Sequence, residues 1–193
     1  FQNKRIVLRL DWNVPIDNFV IQDYFRIDST IKTIQHICSQ NPQYILIVSH
    51  LGRPKGYDTS LSFSNLLQQI NNRLFKHLNI PIELLQYGIS ENTHEYLSKY
   101  QNGNIFLLDN IRFYNEETKK GENFNNICDE YLKLGDVFIN DAFACCHRDH
   151  LSITAPMQLN WGYGYLIQRE VKCLKDIVRN IDNQRILAIM GGS

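Results

Sequence analysis

The 193-residue chain contains no apolar run of about 18 residues, the shortest length typical of a membrane-spanning helix. It also lacks an excess of charge, because 20 Lys and Arg balance 20 Asp and Glu. We therefore expect no membrane partner and no bulk nucleic-acid binding, which needs a strongly basic face. Any site for an anion must then be local.

Cysteine pairs with Cys-x-x-Cys spacing are also absent, and the number of cysteines, five, is odd. This pattern favours reduced thiols in a cytoplasmic protein. Cys145, Cys146, His147 and His150 lie close together in the sequence, but adjacent residues chelate one metal ion poorly. We predict no metal ligands in this chain.

Two nucleotide-binding patterns are missing as well: G-x-x-x-x-G-K-S/T, and G-x-G-x-x-G after the first apolar run. The second absence argues against a nicotinamide-binding oxidoreductase of the Rossmann type. Gly162-Tyr163-Gly164 is a lone G-x-G, which we interpret as a loop before the last helix. No cofactor-binding residue is predicted.

What is present is an alternation of short apolar runs with stretches of helical periodicity. The runs predict strands at 6–10, 44–48, 80–85, 104–108, 137–139 and 185–190. The periodic stretches predict helices at 23–40, 63–78, 90–100, 122–134 and 166–181. This order predicts an α/β fold with a doubly wound, Rossmann-like parallel sheet of five or six strands and helices on both faces.

Polar and basic residues follow several of the predicted strands directly. Because parallel strands share one carboxyl edge, where ligands bind in such sheets, these residues should converge. They are Asp11, Asn13, His50, Arg53, Arg112, His147 and Arg148. One arginine after a strand is usually a solvated loop residue, but several at one edge favour an anion site, since guanidinium suits bidentate binding of phosphate or carboxylate.

Arg26 adds to this prediction. If Asp23 caps the first helix, Arg26 lies in the first turn, where a cation opposes the helix dipole at a cost of roughly 0.3–1 kcal/mol. Such a placement is reasonable if Arg26 shares an anion with the backbone amides of the helix start.

Eight stretches of the sequence occur in an order that resembles a known family. They are LRLDWNVP, RIDSTIKTI, SHLGRPKG, LLDNIRFYNEE, GDVFINDAF, HRDH, LIQREVKCL and ILAIMGGS. Together they resemble the N-terminal half of phosphoglycerate kinases. The resemblance implies reversible phosphoryl transfer between 1,3-bisphosphoglycerate and ADP, giving 3-phosphoglycerate and ATP with Mg²⁺. It also implies that a basic patch in this half binds the phosphoglycerate.

The resemblance implies roles for individual residues. Asp11 and Asn13 match contacts to the hydroxyl and carboxylate end of the substrate, and Arg26 matches the catalytic arginine that reaches the transferred phosphoryl group. The 3-phosphate would be held by His50, Arg53, Arg112 and Arg148, with Gly52 shaping the loop, and Arg9 and His147 would complete the basic patch. The chain departs from the family at Ala144-Cys145-Cys146, where Gly-Thr-Ala is usual, and at Asp149.

The domain organisation is likewise implied. Residues 1–167 would form the 3-phosphoglycerate-binding domain, 168–182 an interdomain helix, and 183–193 the first strand of a nucleotide-binding domain. ATP or ADP with Mg²⁺ would bind mainly to that nucleotide-binding domain. We expect a cytoplasmic monomer, and we expect the 193 residues alone to be inactive. The alternative is a stand-alone, non-enzymatic domain that binds a small phosphorylated acid.

Overall fold

The computed structural model describes residues 1–85, 87–101, 103–158 and 160–179. The strands in these ranges are β1 (Arg5–Arg9), β2 (Ile16–Asp17), β3 (Val20–Ile21), β4 (Tyr44–Val48), β5 (Ile82–Leu85), β6 (Asn104–Leu108), β7 (Val137–Asn140) and β8 (Trp161–Tyr163). The α-helices are α1 (Phe25–Asp28), α2 (Ile31–Cys38), α3 (Leu67–Leu78), α4 (Glu91–Ser98), α5 (Phe124–Lys133), α6 (Leu151–Thr154) and α7 (Tyr165–Arg179).

Six of the strands form one parallel sheet in the order β5-β6-β4-β1-β7-β8. The strand β1 lies near the centre, where Ile6 pairs with Ile45 on one side and Val137 on the other. Strands at the centre of a parallel sheet are covered on both faces, which explains why their sequences are almost entirely apolar. The predicted parallel sheet is confirmed.

Alternate residues of the strands supply two separate hydrophobic cores. Ile6 and Leu8 belong to the core that contains residues of α2 and α3, whereas Val7 belongs to the core that contains residues of α4, α5 and α6. This alternation follows from the two-residue period of a strand. Helices therefore cover both faces, as predicted for a doubly wound sheet.

The sheet contains a sixth strand, β8, that the sequence did not predict. The interpretation of 162–164 as a loop was wrong, because β8 pairs with β7 through Phe138 and Trp161. It is only three residues long and lies at the edge of the sheet with Trp161 and Tyr163 exposed, so it is too short to be recognised from a sequence pattern. The predicted strand at 185–190 and the segment 183–193 lie outside the described residues.

The first predicted helix is interrupted, because α1 ends at Asp28 and α2 begins at Ile31. Asp23 is not its N-cap, since Tyr24 holds that position, although the Asp23 carboxylate accepts the Phe25 N–H at 2.8 Å. Arg26 lies in α1, but α1 is a single turn of four residues whose first turn is also its last, so the expected placement against the dipole of a long helix does not apply. The short antiparallel pair β2–β3 was not predicted.

The start of α7 is attached to the body of the domain. The Tyr165 N–H donates to Thr33 Oγ1 at 3.1 Å, and the Ile167 N–H donates to Asp141 Oδ1 at 3.0 Å. The Thr33 hydroxyl in turn donates to Asp141 at 2.5 Å. The direction of α7 is thus set by α2 and by the end of β7. No helix among the described residues has the length and apolar character needed to cross a membrane.

Candidate functional site

A cavity of about 420 Å³ contains three of the predicted arginines in its lining. The lining residues are Arg53, Pro54, Arg112, Asn115, Thr118, Arg148 and His150, which we call the arginine cavity. The arginines come from the segments after β4, β6 and β7, so parallel pairing brings them to one edge. Three guanidinium groups around one cavity concentrate positive charge there in a chain of zero net charge.

Gly52 connects the arginine cavity to Asn13. Its N–H donates to Asn13 Oδ1 at 2.8 Å, and its carbonyl accepts a hydrogen bond from Arg112 Nη1 at 2.6 Å. Gly52 has φ of +61°, and a Cβ there would meet methyl groups of Leu61 at 3.0 Å. The position therefore requires glycine, and the loop after β4 holds Arg112 in place.

Arg112 has an unused donor. Its Nε is buried and has no hydrogen-bond partner among the described residues. Burial lowers the pKa of its guanidinium, opposed in part by nearby groups including Glu117, but arginine remains charged in proteins. Buried donors are nearly always paired, so this nitrogen favours an acceptor supplied by a ligand.

A buried polar layer lies beneath the cavity. Arg9 is only 2% exposed, its Nε donates to Ser152 Oγ at 2.9 Å, and its Nη2 lies 3.2 Å from His50 Nδ1. Glu117 is fully buried and accepts the N–H and hydroxyl of Ser152 at 2.9 and 2.8 Å. Its Oε1 lies 3.7 Å from Arg9 and 3.4 Å from His150 Nδ1. Arg9 therefore lies under the cavity and not in its lining.

Two titrating groups of this layer have pKa values below their ordinary ones. Burial, together with the charges of Arg9 and Arg112, lowers the pKa of His50 from 6.5 to about 2, so its imidazole is neutral. Burial disfavours ionisation of Glu117, but His150, Arg9 and Ser152 outweigh it and hold the pKa below the ordinary value. The neutral His50 accepts from Arg9 at Nδ1, which leaves Nε2–H as its donor.

Asp11 and Arg26 form an ion pair beside this layer. Asp11 is buried and its Oδ1 also accepts the Asn13 N–H at 3.2 Å, whereas the Arg26 side chain is 44% exposed. The pair joins the start of the loop after β1 to α1. Arg26 is therefore partly exposed to solvent and is paired with a buried carboxylate.

Of the predicted site residues, three line the arginine cavity and the others do not: Arg53, Arg112 and Arg148 line it, whereas Arg9, Asp11, Asn13, Arg26, His50, Gly52 and His147 lie outside its lining. His147 is exposed and does not line the arginine cavity, whereas His150 does. The segment after the fifth predicted strand includes His150, but no role was assigned to it. Asn115 and Thr118 follow no strand directly, so the sheet-edge argument did not select them, and the NEE motif was the only signal for Glu117.

The side chains of Asp11, His50 and Cys145 could offer ligands to a metal, because their donor atoms lie within 4.8 Å of one another. However, Asp11 is paired with Arg26, and His50 already accepts from Arg9. Burial also raises the pKa of the Cys145 thiol, which disfavours the thiolate that binds metals. The cations around the cluster make it a poor site for another cation.

Comparisons with known proteins show to which family the chain belongs. The family model for phosphoglycerate kinase matches residues 1–193. The phosphoglycerate kinases of Wolbachia pipientis subsp. Culex pipiens (strain wPip) and Borrelia duttonii (strain Ly) are 36% and 37% identical over 194 residues, which is 100% of this chain and 47% of each relative. The chain thus spans about half the length of the curated relatives it matches.

Solved structures show the same fold. Phosphoglycerate kinase from Pyrococcus horikoshii OT3 has a TM-score of 0.77 at 24% identity, covering 91% of this chain and 43% of that chain. Phosphoglycerate kinase from Coxiella burnetii has a TM-score of 0.72 at 28% identity, covering 91% and 42%. The family match over the whole chain confirms the resemblance seen in the motifs, and the chain belongs to the phosphoglycerate kinase family.

Proposed function

We propose that the protein to which this chain belongs transfers a phosphoryl group between 1,3-bisphosphoglycerate and ADP, giving 3-phosphoglycerate and ATP. We propose further that this chain supplies the phosphoglycerate-binding surface. The observation that carries the proposal is the arginine cavity, in which three guanidinium groups from distant segments meet and Arg112 keeps a buried, unpaired Nε.

The 3-phosphate would bind in the arginine cavity. Arg53 and Arg148 are exposed and can turn toward a ligand, whereas Arg112 is held by the Gly52 carbonyl and points a fixed donor set at it. His50 would support the anion as a neutral N–H donor, and His150 is a further group in the lining. Charge-assisted hydrogen bonds of this kind are about twice as strong as neutral ones.

The other end of the substrate would lie near Asn13 and Asp11. The hydrogen-bond chain from Asn13 through Gly52 to Arg112 fixes the spacing between this end and the cavity. Arg26 would neutralise the moving phosphoryl group, exchanging part of its contact with Asp11 for the substrate. Phosphoryl transfer depends mainly on such positioning and charge stabilisation.

The buried layer is close to neutral, so the positive charge of the proposed site lies in the lining of the arginine cavity. Glu117 compensates the charge of Arg9, and His50 is neutral, so the uncompensated charge is that of the three arginines in the lining. Arg9 would support the site from beneath through its contacts with Ser152 and His50, and His147 would be a further group of the basic patch on the exposed loop.

ATP or ADP with Mg²⁺ is proposed to bind mainly to the nucleotide domain of the family. The carboxylates near the cavity do not fit a magnesium ion, because Asp11 is paired with Arg26 and Glu117 with Arg9. We retain 1–167, 168–182 and 183–193 as the proposed domain division. The proposed interdomain helix corresponds to part of α7, which the structure describes as far as Arg179. We propose a cytoplasmic monomer without nucleic-acid or membrane partners.

Calorimetry with 3-phosphoglycerate tests the proposed site. Arg53→Gln and Arg148→Gln should each weaken binding by about 1.5–3 kcal/mol, since each removes a charged donor from the phosphate. Arg169→Gln is the matched control, because Arg169 is exposed on α7 and does not line the cavity. Unchanged affinity in both cavity variants would show that the phosphate binds elsewhere.

The proposal also separates binding from turnover. The 193 residues alone should bind 3-phosphoglycerate without forming ATP, because holding both reactants in line supplies about 7–11 kcal/mol of the barrier. A coupled assay with 1,3-bisphosphoglycerate and ADP measures this. Turnover near the roughly 1–100 s⁻¹ typical of kinases would contradict the assignment of the nucleotide site to another domain.

A further inference from the structure

A second cavity, of about 540 Å³, opens at the same edge of the sheet beyond the ends of β5 and β6. Four aromatic side chains belong to its lining, and we call it the aromatic cavity. They are Tyr57, Tyr87, Phe113 and Tyr114. The carboxyl edge of a parallel sheet is the usual place for ligands, and this part of it takes no role in the phosphoglycerate site proposed above.

The aromatic rings are partly fixed and partly open to solvent. Tyr57 and Phe113 pack edge to face with centroids 4.9 Å apart, although Tyr57 remains 73% exposed. Tyr87 is 51% exposed. The Tyr114 hydroxyl accepts the Ile89 N–H at 2.7 Å, which holds that ring in place. The cavity thus presents π surface that the domain itself does not cover.

The charge of the aromatic cavity is opposite to that of the arginine cavity. Its described lining contains the Asp109 carboxylate and no Lys, Arg or His. Asp109 accepts hydrogen bonds at 2.8 Å from the Phe63 N–H, the Asn110 N–H and the Ser62 hydroxyl, all of them neutral donors. Among the described residues Asp109 forms no ion pair, so its negative charge is fixed in place and not neutralised.

The surroundings of Tyr114 are consistent with this negative character. Burial is the main cause that raises the pKa of its phenol, and the charges of Asp109 and Glu116 raise it further. A site with aromatic faces and a fixed carboxylate attracts a cation, because the face of each ring is itself negative. An anion would meet the Asp109 charge without a basic partner.

We propose that the aromatic cavity is a second binding site, specific for an organic cation such as a quaternary ammonium or guanidinium group. It lies on the other side of the turn Ile111–Phe113 from the arginine cavity: Arg112 lines one cavity and Phe113 the other. Two adjacent residues therefore separate an anion site from a cation site. The proposal does not depend on the phosphoglycerate-binding role.

Choline and its neutral isostere 3,3-dimethyl-1-butanol test the proposal by NMR on the ¹⁵N-labelled 193-residue chain. Choline should produce saturable shifts at the amides of Gly88 and Phe113. The isostere has the same shape without the charge and should bind about three- to tenfold more weakly. Absence of saturable shifts with choline, or equal binding of the isostere, would overturn the cation site.

Variants locate the binding. Tyr57→Leu and Tyr87→Leu should each weaken choline binding several-fold, and both positions are exposed, so the fold should be retained. Tyr163→Leu is the matched control, because Tyr163 is 57% exposed on β8 and lies outside this lining. Equal weakening in all three variants would overturn the assignment to the aromatic cavity.

Inorganic phosphate titrated into the same samples monitors the arginine cavity separately. Phosphate binding should be unchanged in Tyr57→Leu and Tyr87→Leu. Loss of choline binding with phosphate binding kept is the expected result for these variants. If the unmodified chain binds choline but neither phosphate nor 3-phosphoglycerate, the cation site stands and the proposed function fails. If it binds phosphate and 3-phosphoglycerate but not choline, only the cation site is refuted.

Discussion

The Arg9 guanidinium lies 3.7 Å from the Glu117 carboxylate, and the two side chains are 2% and 0% exposed. Ser152 joins them, since its hydroxyl accepts from Arg9 and donates to Glu117. A buried carboxylate next to an anion site would weaken that site if it acted alone. Here the Glu117 carboxylate compensates the charge of Arg9, and its contact with His150 helps to position the segment that contains His150.

Replacing Glu117 by Gln should therefore be strongly destabilising. Arg9 would keep its charge without a counterion in a buried place, which typically costs about 3–5 kcal/mol. Urea denaturation at pH 7 measures the loss. Glu116→Gln is the control, because the neighbouring Glu116 is only half-buried and should change the free energy of unfolding by less than about 0.5 kcal/mol. Similar losses in both variants would contradict the role of the buried pair.

His50 should make the domain sensitive to mild acid. Because its pKa is lowered from 6.5 to about 2, the unfolded chain takes up a proton that the folded chain does not. The stability contributed by neutral His50 is complete above pH 6.5 and falls below it, by about 1.4 kcal/mol per pH unit. Denaturation at pH 7 and pH 5 should show a smaller loss for His50→Gln than for the unmodified chain. An NMR titration of the His50 ring with a midpoint near 6.5 would refute this.

Gly52→Ala should damage both stability and phosphate binding. The left-handed φ of +61° and the Leu61 methyl groups at 3.0 Å oppose a side chain, at a cost of about 1–3 kcal/mol. Movement of the loop would also release Arg112 from the Gly52 carbonyl and weaken 3-phosphoglycerate binding in calorimetry. Gly121→Ala is the control, since a Cβ there meets nothing within 4 Å. Equal behaviour of the two variants would show that the loop adapts freely.

Asp136→Asn should remove a smaller, pH-dependent contribution. The Arg5 guanidinium donates to Asp136 at 2.7 Å, the main cause that holds the Asp136 pKa below 3.8. The ionised carboxylate therefore stabilises the fold above pH 3.8 and loses this effect as the pH falls through its lower, folded-state pKa. Because the pair is part-exposed, we expect a loss of about 1 kcal/mol at pH 7. A loss that persists unchanged at pH 2 would point to packing instead of charge.

The central strands were predictable because their burial on both faces leaves an uninterrupted apolar signal. The run at 44–48 coincides with β4, and the run at 104–108 with β6. The proximity of Arg53, Arg112 and Arg148 was predictable from the strand order, because the residues that follow parallel strands lie at the same edge of the sheet.

Features that depend on distant partners were not predictable. Arg9 is part of a strand, and only the position of Glu117, far along the chain, makes it a buried ion pair. The strand β8 is too short and too exposed to produce a pattern. The break between α1 and α2 follows no Gly or Pro, so no local signal marks it.

The central place of β1 has a consequence for how the chain is made. A ribosome delivers β1 before its neighbours, and β7, which covers one side of it, follows after more than half of the chain has been synthesised. Until then β1 has an unpaired, apolar edge, the kind of segment that associates with other chains. Contacts between distant segments also slow folding. The nascent domain therefore exposes an association-prone strand edge until β7 has emerged.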